Sequence, residues 1–150
     1  MNQKFFILGL PRSRTAWLSA YFGCLHEALR YFPNYDDFLD TSYRGDSTTV
    51  YHEICHFIDD YPKVFIHRPV MEVYDSIINL FGQVPDDLLK WDEELHAGDG
   101  LHVEYQDINK RLPEICEFIG LPYNKNRDYL MNKNIQNQKL IREVQSCLLQ

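Results

Sequence analysis

The chain has 150 residues, 45% of them hydrophobic and 25% charged, which excludes a disordered tail and fits one domain around one sizeable core. Its net charge of −7 excludes a broad phosphate-backbone footprint, so nucleic acid is not an expected partner. An anionic ligand would have to be held by a local cluster of Arg or Lys.

The chain order of elements starts with Lys4–Gly9, a short apolar run ended by Gly-Leu-Pro that predicts a buried strand. It is too short for a signal-peptide core, and no stretch reaches the roughly 18 apolar residues of a membrane span. Trp17, Leu18, Tyr21, Phe22 and Leu25 have helical spacing, so a helix is predicted from Thr15, with a short second strand at 25–29. The Pro-, Asn-, Asp- and Gly-bearing segment 31–47 reads as a surface excursion. Ser47 or Thr48 is expected to cap a helix running to about Tyr61. A strand at 63–67 follows, then a helix opened by Pro69 and reaching about Leu80. Pro85 opens another helix, closed by Gly98-Asp-Gly100; Leu101–Tyr105 is a third clear strand, and helices are predicted near 109–119 and 135–149. Strands alternating with helices predict a single α/β domain over 1–150, three-layered, with a short and mainly parallel sheet. Cys24, Cys55, Cys116 and Cys147 form no C-x-x-C pair, which suits free thiols in a reducing cytoplasm.

The first strand–turn–helix carries the chemistry. A helix N-terminus presents unpaired N–H groups and a positive dipole end to an anion. The turn is Gly9-Leu-Pro-Arg-Ser-Arg-Thr-Ala-Trp17. Thr15 and Ala16 stand where a Walker A loop needs Lys and then Ser or Thr, so the usual Mg²⁺ hydroxyl is missing and no metal is expected.

This loop resembles the P-loop of the sulfotransferase family, P-[KR]-S-G-T-T-x-L: Pro11, Arg12, Ser13, Thr15 and Leu18 match, and Trp17 agrees with a common version. Arg14 stands in place of the family's glycine and Ala16 in place of its second threonine. The resemblance implies a P-loop NTPase-like fold and a donor co-substrate, 3′-phosphoadenosine 5′-phosphosulfate (PAPS), with Arg12, Ser13, Arg14, Thr15 and Ala16 around its 5′-phosphosulfate. The family's second signature is an Arg at a strand end with a Ser eight positions on, both on the donor's 3′-phosphate; Arg68 and Ser76 have that spacing. Val103-Glu-Tyr-Gln-Asp-Ile108 and Leu112–Pro122 resemble two further family stretches. The resemblance runs from Phe5 to Pro122 and implies sulfuryl transfer to a small-molecule or glycan hydroxyl or amine, with Arg12 catalytic and Glu27, or its neighbour His26, as the base.

Two other readings stand beside it. One is a nucleotide-binding module of the same fold without turnover, favoured by the short chain and by Arg14 and Ala16. The other is a zinc hydrolase built on His52-Glu53-Ile54-Cys55-His56, a literal H-E-x-x-H whose third ligand could come from Glu93 or His96. The aromatic residues Tyr31, Phe32, Tyr35, Phe38 and Tyr43 read as a small satellite core, or alternatively as a wall for an adenine ring or the acceptor.

Overall fold

The computed structural model describes residues 3–132; the helix expected over 135–149 and Cys147 lie outside the described residues. Five parallel strands form one sheet: β1 (Phe5–Gly9), β2 (Leu25–His26), β3 (Gly45–Thr48), β4 (Lys63–His67) and β5 (Leu101–Glu104), in the order β2-β3-β1-β4-β5. The helices are α1 (Thr15–Phe22), α2 (Tyr35–Leu39), α3 (Tyr51–Ile54), α4 (Val70–Phe81), α5 (Leu88–His96), α6 (Ile108–Ile119) and α7 (Lys125–Asn132). The expected α/β fold, a parallel sheet flanked by helices, is the one observed.

β1 is central and buried on both faces, as an apolar strand of a covered parallel sheet must be. Phe5 and Ile7 pack with Leu18, Tyr21 and Phe22 of α1 and with Ile108, Leu112 and Ile115 of α6. Phe6 and Leu8 point the other way, onto Phe38 of α2, Ile54 of α3, Val73 and Ile77 of α4, and Leu88 and Leu95 of α5. The alternation along β1 therefore defines the two outer layers. Each such large apolar side chain contributes about 1.5–3 kcal/mol by leaving water.

Three expectations are corrected. Residues 45–47, the end of the expected surface excursion, are not surface: Gly45, Asp46 and Ser47 form β3 together with Thr48, fully buried between β2 and β1. Polar residues can stand there because their groups are satisfied: Asp46 accepts from the Ala28 N–H and the Tyr35 hydroxyl, and the Ser47 hydroxyl donates to the Thr15 carbonyl. Gly45 is required by close approach, since a Cβ there would lie 2.1 Å from the Phe5 carbonyl oxygen.

The second correction concerns the helix expected from 47 or 48 to 61. Thr48 ends β3 instead, α3 occupies only Tyr51–Ile54, and Cys55–Phe57 is a 3₁₀ turn. Third, the aromatic excursion is no satellite: Tyr35 and Phe38 are buried in the main core, 6.4 and 6.3 Å (ring centroids) from Phe6, while Tyr31 is 71% exposed.

Smaller shifts follow from local chemistry. β2 is two residues long because Glu27 turns left-handed (φ 56°) into a 3₁₀ turn over Ala28–Arg30. Pro69 precedes α4 rather than opening it, and α5 begins at Leu88, after Asp86 and Asp87. α7 was not expected; it is tied on by Asp128, which accepts from the hydroxyls of Tyr21 and Tyr123.

Candidate functional site

In an open parallel sheet, ligands bind outside the carboxyl ends of strands where neighbouring connections leave toward opposite faces. β1 and β4 are adjacent, and they fulfil that condition. The loop after β1 feeds α1 on one face, and the turn after β4 feeds α4 on the other. Arg12 and Arg68 stand at the two sides of this crevice.

The β1–α1 loop is wound tightly. Arg12 (φ 67°) and Arg14 (φ 68°) both lie in the left-handed region, with Ser13 between them. Such alternation turns successive backbone N–H groups toward one concavity, an anion-binding arrangement, and Thr15 opens α1 directly behind it. Ser13 is fully buried, and its hydroxyl makes no hydrogen bond. A hydroxyl withdrawn from water without a partner is costly unless a ligand completes it.

Two left-handed arginines cost about 1–2 kcal/mol each, so other elements must hold them. Arg14 takes the conformation that glycine adopts freely. Its guanidinium lies 3.9 Å from the centroid of Trp17 and donates to Asn109 Oδ1 at 3.1 Å, binding the loop to α6. Arg12 is held from the other face. Arg68 Nη1 donates to the Arg12 carbonyl at 2.5 Å, and Arg12 Nε donates to Ser76 Oγ at 3.3 Å.

The residues of the two sequence motifs are thus brought into one contact network. On the Arg68 side of this network is an open cavity of about 530 Å³ lined by Arg68, Glu72, Asp75, Ser76, Tyr105 and Gln106. The Arg68 guanidinium lies 4.6 Å over the Tyr105 ring, and its Nε is 3.5 Å from Glu72 Oε2. Tyr105 and Asn109 join the site although the sequence motifs do not assign them to it: Tyr105 lies within the Val103–Ile108 stretch and is legible there, whereas Asn109 carries no signal.

Glu27 and His26 sit at the carboxyl end of β2. Glu27 is 5% exposed, donates its N–H to the Ser47 carbonyl at 3.1 Å and accepts the Thr49 N–H on Oε1 at 2.7 Å. His26 Nδ1 is 3.0 Å from the same Ser47 carbonyl, which only accepts, so Nδ1 carries the proton and Nε2 the lone pair. Ser47 in turn donates to the Thr15 carbonyl at 2.7 Å. β3 therefore connects the Glu27 turn to the start of α1. Ala16 lies in the first turn of α1, its carbonyl accepting from the Ser19 hydroxyl.

The H-E-x-x-H reading finds no matching geometry. α3 ends at Ile54, so His52 and His56 are not on one continuous α-helix. The His52 ring stacks on Trp91 at 4.3 Å and that of His56 lies 4.3 Å from Phe57. His96 stacks on His67 at 3.9 Å. Among the described residues, no three His, Cys, Asp or Glu are grouped to hold a metal ion.

The five-stranded parallel sheet flanked by helices, with its tightly wound β1–α1 loop at the switch point, is an α/β fold of the sulfotransferase-like kind. The structure of mouse sulfotransferase SULT7A1 complexed with PAP is similar to this chain, with a TM-score of 0.56 and 15% sequence identity over 99% of this chain. The match covers 66% of the mouse chain, and at that identity it carries the fold rather than the activity. No family model and no curated protein match the sequence.

Proposed function

We propose that the protein is a sulfotransferase that takes PAPS as donor and transfers its sulfuryl group to a small-molecule or glycan hydroxyl or amine. The observation that carries this reading is the convergence of Arg12 and the left-handed loop with Arg68 and Ser76 across the sheet's switch point. The loop's N–H groups and the Ser13 and Thr15 hydroxyls suit a 5′-phosphosulfate. Arg68 and Ser76, at the adjoining cavity, suit a 3′-phosphate: a planar guanidinium forks onto two oxygens while a hydroxyl takes a third.

In the transfer, the bond from sulfur to the donor's phosphate oxygen breaks as the acceptor's oxygen or nitrogen bonds to sulfur, and the acceptor loses a proton. Arg12 supplies positive charge where the departing oxygen gains negative charge. Glu27, with one oxygen already fixed by the Thr49 N–H, is assigned the proton, and His26 Nε2 is the alternative acceptor. The three described cysteines, Cys24, Cys55 and Cys116, are free thiols, in keeping with a cytoplasmic setting; no described helix is long and apolar enough to cross a membrane.

The deciding measurement is calorimetry with 3′-phosphoadenosine 5′-phosphate (PAP) and AMP, which differ only in the 3′-phosphate. Hydrogen bonds to charged groups contribute about 1.5–3 kcal/mol each, so PAP should bind at least about tenfold more tightly. Equal affinity overturns the donor assignment. A binding module of the same fold would show that preference without turnover in a PAPS assay across an acceptor panel.

A further inference from the structure

We propose that Arg68 has a second task, resting on the donor reading above: it is a positioning residue for the β1–α1 loop, so that the 3′-phosphate cavity and the 5′ cradle are energetically coupled. Arg12 is strained, with φ 67°, and a strained residue keeps its conformation only where its surroundings fix it. Its carbonyl is fixed by Arg68 Nη1 at 2.5 Å. That contact joins residues 56 positions apart and crosses from β4 to the loop after β1.

The guanidinium is itself positioned for this task. Tyr105 lies against its face at 4.6 Å, and Glu72 Oε2 is 3.5 Å from Nε, which makes no hydrogen bond. A guanidinium has five N–H donors in a rigid fork, and the Arg12 carbonyl uses one of them. Nε is buried beside Glu72, and the remaining Nη N–H groups are the ones left for an anion in the adjoining cavity. One side chain therefore serves both the loop backbone and that cavity. An anion that draws Arg68 into the cavity must act on the Arg12 carbonyl, and a loop that loses Arg68 loses part of its shape.

A residue that served only the 3′-phosphate would not affect a nucleotide lacking one. The test is the affinity of AMP, by calorimetry, on wild type, Arg68→Ala and Arg68→Gln, with PAP measured in parallel. Arg68→Ala should weaken AMP binding by roughly tenfold, the scale of one lost hydrogen bond to a charged donor. Arg68→Gln, whose neutral amide can still donate to the Arg12 carbonyl, should recover much of the AMP affinity while PAP loses its advantage. Arg68→Met keeps the packing on Tyr105 without a donor and replaces the alanine variant if that one fails to fold. Wild-type AMP affinity in the folded Ala or Met variant overturns the coupling. A wild-type protein that does not prefer PAP over AMP instead overturns the donor reading, and the two failures are read from different columns of the same experiment.

Discussion

Arg12 Nε donates to Ser76 Oγ at 3.3 Å, joining the loop after β1 to the second turn of α4 across 64 residues of sequence. Both partners are charge-bearing or polar groups at the surface of the crevice, so their bond adds little to folding; its value lies in where it holds Arg12. Ser76→Ala should leave the melting temperature within the range of about 1 kcal/mol of stability, since the site is open to water. PAP affinity should fall about tenfold, and AMP affinity by less. Matched losses for both nucleotides would mean that Ser76 acts through Arg12 rather than on the 3′-phosphate.

Arg14 occupies a position where the related motif has glycine, and its left-handed backbone shows why glycine is suited there. The arginine's stacking on Trp17 and its bond to Asn109 offset the conformational cost. Arg14→Gly loses those contacts but relieves the strain. Arg14→Ala loses the contacts and keeps the strain. The glycine variant should therefore be more stable than the alanine variant by about 1 kcal/mol, measured by urea denaturation. The reverse order would show that the loop does not need a left-handed residue at 14 for stability.

These two arginines also show what sequence could and could not convey. β1, β4 and β5 were legible because apolar runs bounded by Gly or Pro have few alternatives to a buried strand. β3 was not, because Gly-Asp-Ser-Thr has the composition of a turn, and its burial depends on partners far away: Ala28, Tyr35 and Thr15. α3 was overextended because residues 51–61 carry helical spacing while the Cys55–Phe57 turn tightens to 3₁₀. The spacing of Arg68 and Ser76 was legible as a motif. That Arg68 holds the Arg12 carbonyl was not, since a side chain's contact with backbone leaves no mark on residue identity. The Asp46 network was invisible as well, because its partners, the Ala28 N–H and the Tyr35 hydroxyl, lie 18 and 11 residues away with no spacing to mark them.

Glu27 offers a sharper test than most proposed bases, because its placement survives neutralisation. Glutamine keeps a carbonyl oxygen to accept the Thr49 N–H, so the left-handed turn into Ala28–Arg30 should persist. Glu27→Gln should leave PAP affinity near the wild-type value while lowering sulfuryl transfer about 10²–10⁴-fold, the scale of losing a general base. An unchanged rate with any acceptor that supports turnover would transfer the role to His26, whose Nε2 carries the remaining lone pair.

The pH dependence of stability should reveal two buried groups acting in opposite directions. Burial pushes the Asp46 carboxyl up to about 7, offset in part by the Ala28 N–H and the Tyr35 hydroxyl, with the charge of Glu27 adding to the rise. Burial also lowers His67 to about 4, helped by His96 and His102. His67 Nε2 lies 2.7 Å from His102 Nδ1, and His102 Nε2 is 2.8 Å from the Gly98 carbonyl. The carbonyl only accepts, so the chain of protons runs from His67 to His102 to Gly98, leaving the buried His67 Nδ1 as a bare lone pair. Protonating it would place an unpartnered donor in the core. The raised Asp46 pKa means the folded state binds a proton the unfolded chain does not, so this contribution is complete below the ordinary 3.8 and is lost as pH rises through about 7. The lowered His67 pKa has the opposite sign: its contribution is complete above the ordinary 6.5 and is lost as pH falls toward about 4. In the wild type the two slopes oppose each other between pH 4 and 6.5. Asp46→Asn should therefore give a protein whose stability rises with pH over that window, and His67→Phe one whose stability falls from pH 4 to 7. Urea unfolding at half-unit pH steps measures both slopes, and equal slopes in the two variants would show that neither group titrates as its burial dictates.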